Sequence, residues 1–408
     1  MEPTEPAPAA APTRPAGQRL LDRAGTLLAL LTERPVSLYA AAVLRIGYGL
    51  LYFVFLLREF PHRDEIWGPG SPWTPALAEQ LFDETGWASI LLLSDSRAYF
   101  EVCYAAALVT SVLFTLGWRT RAVSVLFAVV VASFHARAIF MTDGGDNLIL
   151  LMSVYLVLTA CGRRWSLDAR REGGPAADGT RPGRRIGHRL RLRSGRGPGR
   201  ETGPGRRFHD VRRPLVTVLH NCGMFVIAAQ VCFLYGSAGL YKVQGGSWGN
   251  GTALHYVLNL ELFRPWPALS VLLDEHAVAM AVAGYLTVLL QVAFPFVLFG
   301  RLKYPVLTML LGLHLGIALV LGLPLFSGVM IVADAVFLPD RFYRSLGRLW
   351  RRGARSAGGG EAGPAARTES ARSRATSVPP ARSGPLSASW GHRGLALTRG
   401  HENLSRPE

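Results

Sequence analysis

The chain has 408 residues, half of them hydrophobic, and a formal net charge of +16. In a soluble protein that charge would point to nucleic acid, but no aromatic residues interleave the basic segments, and the apolar residues are gathered into long runs rather than spread at amphipathic spacing. Four cysteines without a CxxC pair give neither a zinc site nor a disulfide framework, so no metal is expected.

Residues 1–36 are rich in Pro, Ala and Arg and read as a disordered, juxtamembrane N-terminus. They lack a short apolar stretch followed by a small-residue cleavage site, so the first span is expected to serve as its own insertion signal. Eight apolar runs follow, near 37–57, 98–117, 122–140, 146–161, 215–241, 277–300, 304–322 and 324–339, each near the ~20 residues a bilayer requires. The fourth is short, and Pro324 divides the last two, which leaves two spans or one span and a re-entrant segment open there. The link 58–97 holds Trp67, Trp73, Trp87 and the piece "WASILLLS", too short to cross and suited to an interfacial helix with aromatic anchors.

Charge sets the orientation. Segment 162–214 carries 16 arginines against five acidic residues and reads as a flexible basic loop, and the tail 340–408 carries 13 arginines and reads as disordered. The alternate links are acidic or mixed. The positive-inside rule then places both termini and the basic loops in the cytoplasm. The expectation is an all-α, polytopic integral membrane helix bundle of about eight spans. Residues 37–339 form the transmembrane domain of a multi-pass protein of the cell membrane, in contact with the lipid bilayer and with no nucleic-acid partner.

Ionisable groups inside spans cost energy, so each is a functional candidate. Topology places Glu101, His135, Asp143, Asp146, Asn147, Lys242 and His255 at one depth, toward the outer face. Arg45, His314 and Asp334 fall nearer mid-membrane, and His220 near the inner face. Asp334 is expected to pair with a cation such as Arg45 or to cap a buried network. His135, His220 and His314 fit interhelical hydrogen bonds, and "DGGD" reads as a tight turn with Asp146 or Asn147 capping the fourth span.

Lys242 stands apart by composition. Of 44 basic residues, only Lys242 and Lys303 are lysines. A span-end lysine that snorkels to the interface is common. If charge alone were needed, this chain would have written Arg. Lys can shed its proton when desolvated and Arg cannot, which makes Lys242 a candidate general base. Gly236–Gly239 ("GSAG") allows close helix approach or room for a flat ligand, and "GGSWGNG" after the span anchors Trp248.

"LGWRTR" after the second span, "DGGDNLI" opening the fourth, "GRRWSLDAR" after it and "AGLYKVQGGSW" around Lys242 resemble the HTTM family, the membrane domain shared with vitamin K-dependent gamma-carboxylases. The resemblance covers about Ser37 to Leu338 and implies quinone-linked chemistry of carboxylase or epoxidase type at the extracytoplasmic face. Lys242 would deprotonate a reduced quinone, and His135, Asp146, Asn147, His255, Glu101 and Trp248 would support it. Asn147, or Asp146, stands where the carboxylases have a functional histidine. One additional residue separates Lys242 from Trp248, and the large extracytoplasmic carboxylase domain is not among these 408 residues. Shorter bacterial members of the family include proteins resembling the membrane factor that matures a secreted sporulation-delaying peptide toxin. They imply the alternative, a non-catalytic maturation or export partner acting with a small protein on an exported peptide.

Overall fold

The computed structural model describes residues 25, 32, 34–171, 204–298 and 300–358. The expectations for most of the N-terminal segment, for 172–203 within the basic loop and for 359–408 lie outside the described residues. Among those described there are helices and turns and no strand. Six helices are long and apolar enough to cross a membrane: α1 (Leu38–Arg58), α2 (Arg97–Leu116), α3 (Thr120–Arg137), α5 (Pro204–Gln244, apolar from Pro214), α6 (Ala277–Val297) and α7 (Lys303–Val320). Two shorter apolar helices, α4 (Gly144–Leu158) and α8 (Pro324–Asp334), complete the all-α bundle of a multi-pass membrane protein. The end bearing Arg58, Asp143 and Lys242 is called outer here, following the charge asymmetry.

Helix boundaries follow local chemistry. Pro324 opens α8 at its first turn, where a missing N–H costs nothing. Asp143, rather than Asp146 or Asn147, caps α4: its Oδ1 accepts from the N–H groups of Gly145 (2.6 Å) and Asp146 (3.0 Å), while Asp146 Oδ2 accepts from Asp143 N at 2.9 Å. This is a reciprocal capping box with the acid at the third helical position. The tail does not begin as coil: α9 runs over Asp340–Gly358, with Asp340 accepting a hydrogen bond from Tyr39 N. The interfacial helix expected at "WASILLLS" is replaced by a single 3-10 turn at Ile90–Leu92, and the longer helix of that link lies earlier, at Pro75–Thr85. Trp67 is not an interfacial anchor. It is buried, and its indole N–H donates to Phe134 O at 3.1 Å, which seats the outer link on the end of α3.

Packing joins α5 along α6, α1 to α2, α3 to α4 and α7 to α8, with α8 also resting on α1 and α4. At Gly239 in α5 a Cβ would lie 2.9 Å from Val292 N, so "GSAG" serves close approach of α5 to α6 at this point.

Arg45 is completely buried and does not meet Asp334. It reaches the inner ends of other helices: its Nη1 donates to Phe114 O (2.7 Å) and Thr115 O, its Nη2 to Trp165 O (2.7 Å) and its Nε to Cys161 O (3.3 Å). The carbonyls that end α2 have no partner within their own helix, and the planar guanidinium fork supplies several donors at once. Gly117 makes room for it, at φ +69 and with a would-be Cβ 2.7 Å from Arg45 Nη1. Asp168 completes the clasp by accepting from Arg119 N (2.9 Å), Thr120 N (2.7 Å) and Thr120 Oγ1 (2.7 Å), which caps α3 from outside. Burial disfavours the Asp168 charge, yet the bonds from Thr120 and Arg119 prevail and hold its carboxyl below the usual range. "LGWRTR" and "GRRWSLDAR" are thus two halves of one fastening. His220 and Asn221 fasten the chain ahead of α1: His220 Nδ1 accepts from Ala160 N (3.0 Å), His220 Nε2 meets Val36 O (2.7 Å), and Asn221 Oδ1 accepts from Val36 N (2.9 Å).

Replacing Arg45 with Ala removes four donated bonds from these carbonyls in an apolar setting, of which Phe114 O alone is seen to keep a backbone donor, Gly117 N at 3.1 Å. Charge-assisted hydrogen bonds contribute about 1.5–3 kcal/mol each, so a loss on the order of 3 kcal/mol or more is expected. It would be read as a lowered Tm in detergent, and an unchanged Tm would contradict the role assigned to the clasp.

Candidate functional site

Length mismatch creates the site. The 15 residues of α4 span ~22 Å and the 11 of α8 ~16 Å, against ~30 Å of hydrocarbon. Between the outer ends of these two helices, α1 and α3 lies a cavity of about 230 Å³. Phe55, Trp67, Phe134 and Phe326 give it aromatic walls, and Tyr52, Arg58, Glu59, His135, Asp143 and Asp146 supply the polar groups. The Tyr52 side chain is 4% exposed, and its hydroxyl makes no hydrogen bond among the described residues although it feels the Asp146 charge. Asp146 spends one carboxylate oxygen on the capping box. Arg58 pairs with its neighbour Glu59 at 2.5 Å, so the mouth carries a self-compensated ion pair.

The residues expected to share one outer cluster fall into four places. His135 and Asp146 line the cavity together. Asn147 is exposed and donates to Asp143 O at 2.8 Å, which ties it to the cap. Glu101 pairs with Arg63 at 2.9 Å on the outer link. His255 is exposed and meets Asp274 at 2.6 Å, and Asn259 donates to the same carboxylate at 2.9 Å. The bonds from Asn259 and His255 hold the Asp274 carboxyl below the usual range.

Lys242 lies elsewhere again. It is half-buried, its ammonium sits 5.3 Å from the centre of the Trp248 ring, and it donates to Ala238 O at 3.4 Å. No carboxylate pairs with it among the described residues. It does not line the cavity that holds His135 and Asp146. A second cavity, of about 390 Å³, lies between α6 and α7 beneath the outer helix Ala253–Asn259. No titratable side chain lines it, and its only hydroxyl, on Thr287, donates to Ala283 O. That lining suits a hydrocarbon tail and offers no acid–base chemistry.

Sequence reasoning missed Tyr52 and Glu59, and took Trp67 for an interfacial anchor rather than a wall of this cavity. Tyr52 carried no charge to single it out in an apolar run, and only the unpartnered hydroxyl marks it. Arg137, inside the apolar run near 122–140, is a further charged residue not singled out in the sequence: it is buried and donates to Gly68 O at 3.3 Å beneath the outer link.

The chain matches no protein-family model, no curated protein and no solved structure. The cavity and the Lys242–Trp248 contact therefore rest on their own geometry.

With only two lysines, the Lys242 contact can be tested by amine labelling. A cation over an aromatic face gains about 0.5–1 kcal/mol at an accessible site. Trp248→Ala is expected to speed modification of Lys242 about 2–5-fold by mass spectrometry while Lys303 stays at its parental rate. Equal rates for Lys242 in the two proteins would remove Trp248 as its cover.

Proposed function

We propose that this membrane protein binds a reduced, quinone-type ring in the aromatic cavity at its outer end. The supporting observation is that Tyr52, whose buried hydroxyl is unpartnered, and Asp146 line one space walled by aromatic rings. A quinol is flat and apolar across its faces and carries a hydroxyl at each end. Asp146 accepts from one hydroxyl and Tyr52 donates to the oxygen of the other. Ligand sites are of this kind, mostly apolar with a few placed polar groups.

Deprotonation is a separate step. A phenolic proton ordinarily has a pKa near ~10, which a neutral amine matches better than a carboxylate. Lys242 is the base that the carboxylase resemblance implies, and its lack of a carboxylate partner favours that role. Asp146 is the group that faces the cavity. The proposal therefore assigns binding to Tyr52 and Asp146, and to Lys242 the removal of the proton as the quinol enters or leaves along the outer end of α5.

Equilibrium binding of a short-chain naphthoquinol, kept reduced, to the protein in nanodiscs tests this. Tyr52→Phe removes one neutral hydrogen bond and is expected to weaken binding about 3–10-fold. Lys242→Ala is expected to retain equilibrium binding but to lose the transient absorbance of the quinol anion on stopped-flow mixing, and Lys242→Arg to do no better. Parental affinity in both Tyr52→Phe and Asp146→Asn would end the cavity assignment. An anion signal that survives Lys242→Ala would end the role of the amine.

A further inference from the structure

A second group of titratable side chains lies deeper, away from the cavity lining. Tyr235 of α5, His314 of α7 and Asp334 of α8 are 1%, 2% and 9% exposed. The Tyr235 hydroxyl lies 2.9 Å from His314 Nε2 and donates to Asp334 Oδ2 at 3.0 Å. Asp334 is the tenth residue after Pro324, ~15 Å below the outer start of α8. Neither Asp334 Oδ1 nor His314 Nδ1 makes a hydrogen bond among the described residues.

Every element around the group offers a neutral surface. From α1, Tyr48 faces Asp334, and its hydroxyl donates to Val329 O at 3.4 Å. From α6 comes Phe294, with its ring centre 4.8 Å from that of Tyr235. No cation pairs with Asp334 among the described residues, and Arg45 is committed to the inner clasp.

A single hydroxyl between a ring nitrogen and a carboxylate has one proton to give, and this links the two ends. When Tyr235 donates to ionised Asp334, His314 must donate through Nε2–H, and Nδ1 is a bare acceptor. A proton arriving at Nδ1 releases the Nε2 proton to the Tyr235 oxygen, and the Tyr235 proton passes to Asp334 Oδ2. The tyrosine then donates to Nε2, and Asp334 donates to the tyrosine. One proton has entered at the ring and one rests on the acid. All three groups are neutral, the condition a low-dielectric interior tolerates at least cost.

We infer that Tyr235, His314 and Asp334 form an intramembrane proton-binding site in which uptake of one proton at His314 Nδ1 is stored on Asp334 and reverses the imidazole tautomer. Phe326 connects this site to the outer cavity. Its ring lines the cavity and stands edge-on to His314 at 6.3 Å, so one side chain separates the two. The ligand of this site is a proton, and its occupancy does not depend on what the cavity binds.

The test is a pH titration of the full-length protein in nanodiscs, with no quinol added. It is followed by infrared difference spectra of the carboxylic-acid C=O stretch and by nitrogen NMR of histidine-labelled protein. As pH falls, the acid band is expected to grow while one ring exchanges Nε2–H for Nδ1–H without becoming imidazolium. Asp334→Asn removes the band, and His314→Gln removes the ring signal. Tyr235→Phe keeps both end groups but breaks the link, so the acid titrates with no tautomer exchange. Should Asp334→Asn fail to fold, Tyr235→Phe against the parent reads the same coupling. An imidazolium at His314 beside an ionised Asp334 would overturn the inference. So would a tautomer exchange that persists in Tyr235→Phe, or the absence of any titrating carboxyl across the folded range.

Discussion

Two apolar helices of this bundle, α4 and α8, are shorter than a membrane's hydrocarbon thickness, and the polar geometry of the outer half depends on that mismatch. Backbone N–H and C=O groups inside hydrocarbon must be satisfied within the protein. A short span cannot expose its open end to lipid, so that end must be capped, covered or turned to a recess. α4 answers with its own capping box, which draws Asp143 and Asp146 to the helix start. α8 begins on a proline, which removes one orphan donor. The covering comes from the outer link, where Trp67 and Ser89 bond to Phe134 and Ser133 of α3. The space left between these devices is the cavity.

At the inner end the same constraint is met by charged side chains rather than by space. Arg45 gathers orphan carbonyls from α2 and from the turns after α4, and Asp168 supplies the matching acceptor for the donors that open α3. These two charged residues close opposite helix ends, each satisfying what the backbone leaves over. A fastened inner end and a recessed outer end make the bundle asymmetric. The buried group of Tyr235, His314 and Asp334 lies on α5, α7 and α8, of which α8 also lines the cavity.

The fold was legible because hydrocarbon thickness imposes run lengths that the sequence cannot hide. The positions of α1, α2, α3, α6 and α7 follow directly from their apolar runs, and Pro324 did mark the start of α8. The site was legible only in part. Depth can be read from distance to a span end, so His135 and Asp146 were expected at one level, and they line one cavity. Rotation around the bundle cannot be read that way. Glu101, His255 and Lys242 share that level but point into three other settings, each with its own partner. Of the two expectations for Asp334, the pair with Arg45 is not formed, because nearer carbonyls take four of the five Arg45 donors, whereas Asp334 does end a buried network through Tyr235. Tyr52 and Tyr235 carry no formal charge, and their importance lies in where a single hydroxyl proton can go.

The central claim is that the recess above α4 and α8, and not the surface around Lys242, receives a flat amphipathic ligand. Photolabelling of the protein in native membranes with an azido-naphthoquinone, followed by peptide mapping, tests it most directly. The account predicts adducts on the peptides that carry Trp67, Phe134 and Phe326, diminished by excess unlabelled quinol. Competable adducts confined to the segment around Lys242 and Trp248, with none on the cavity walls, would contradict it.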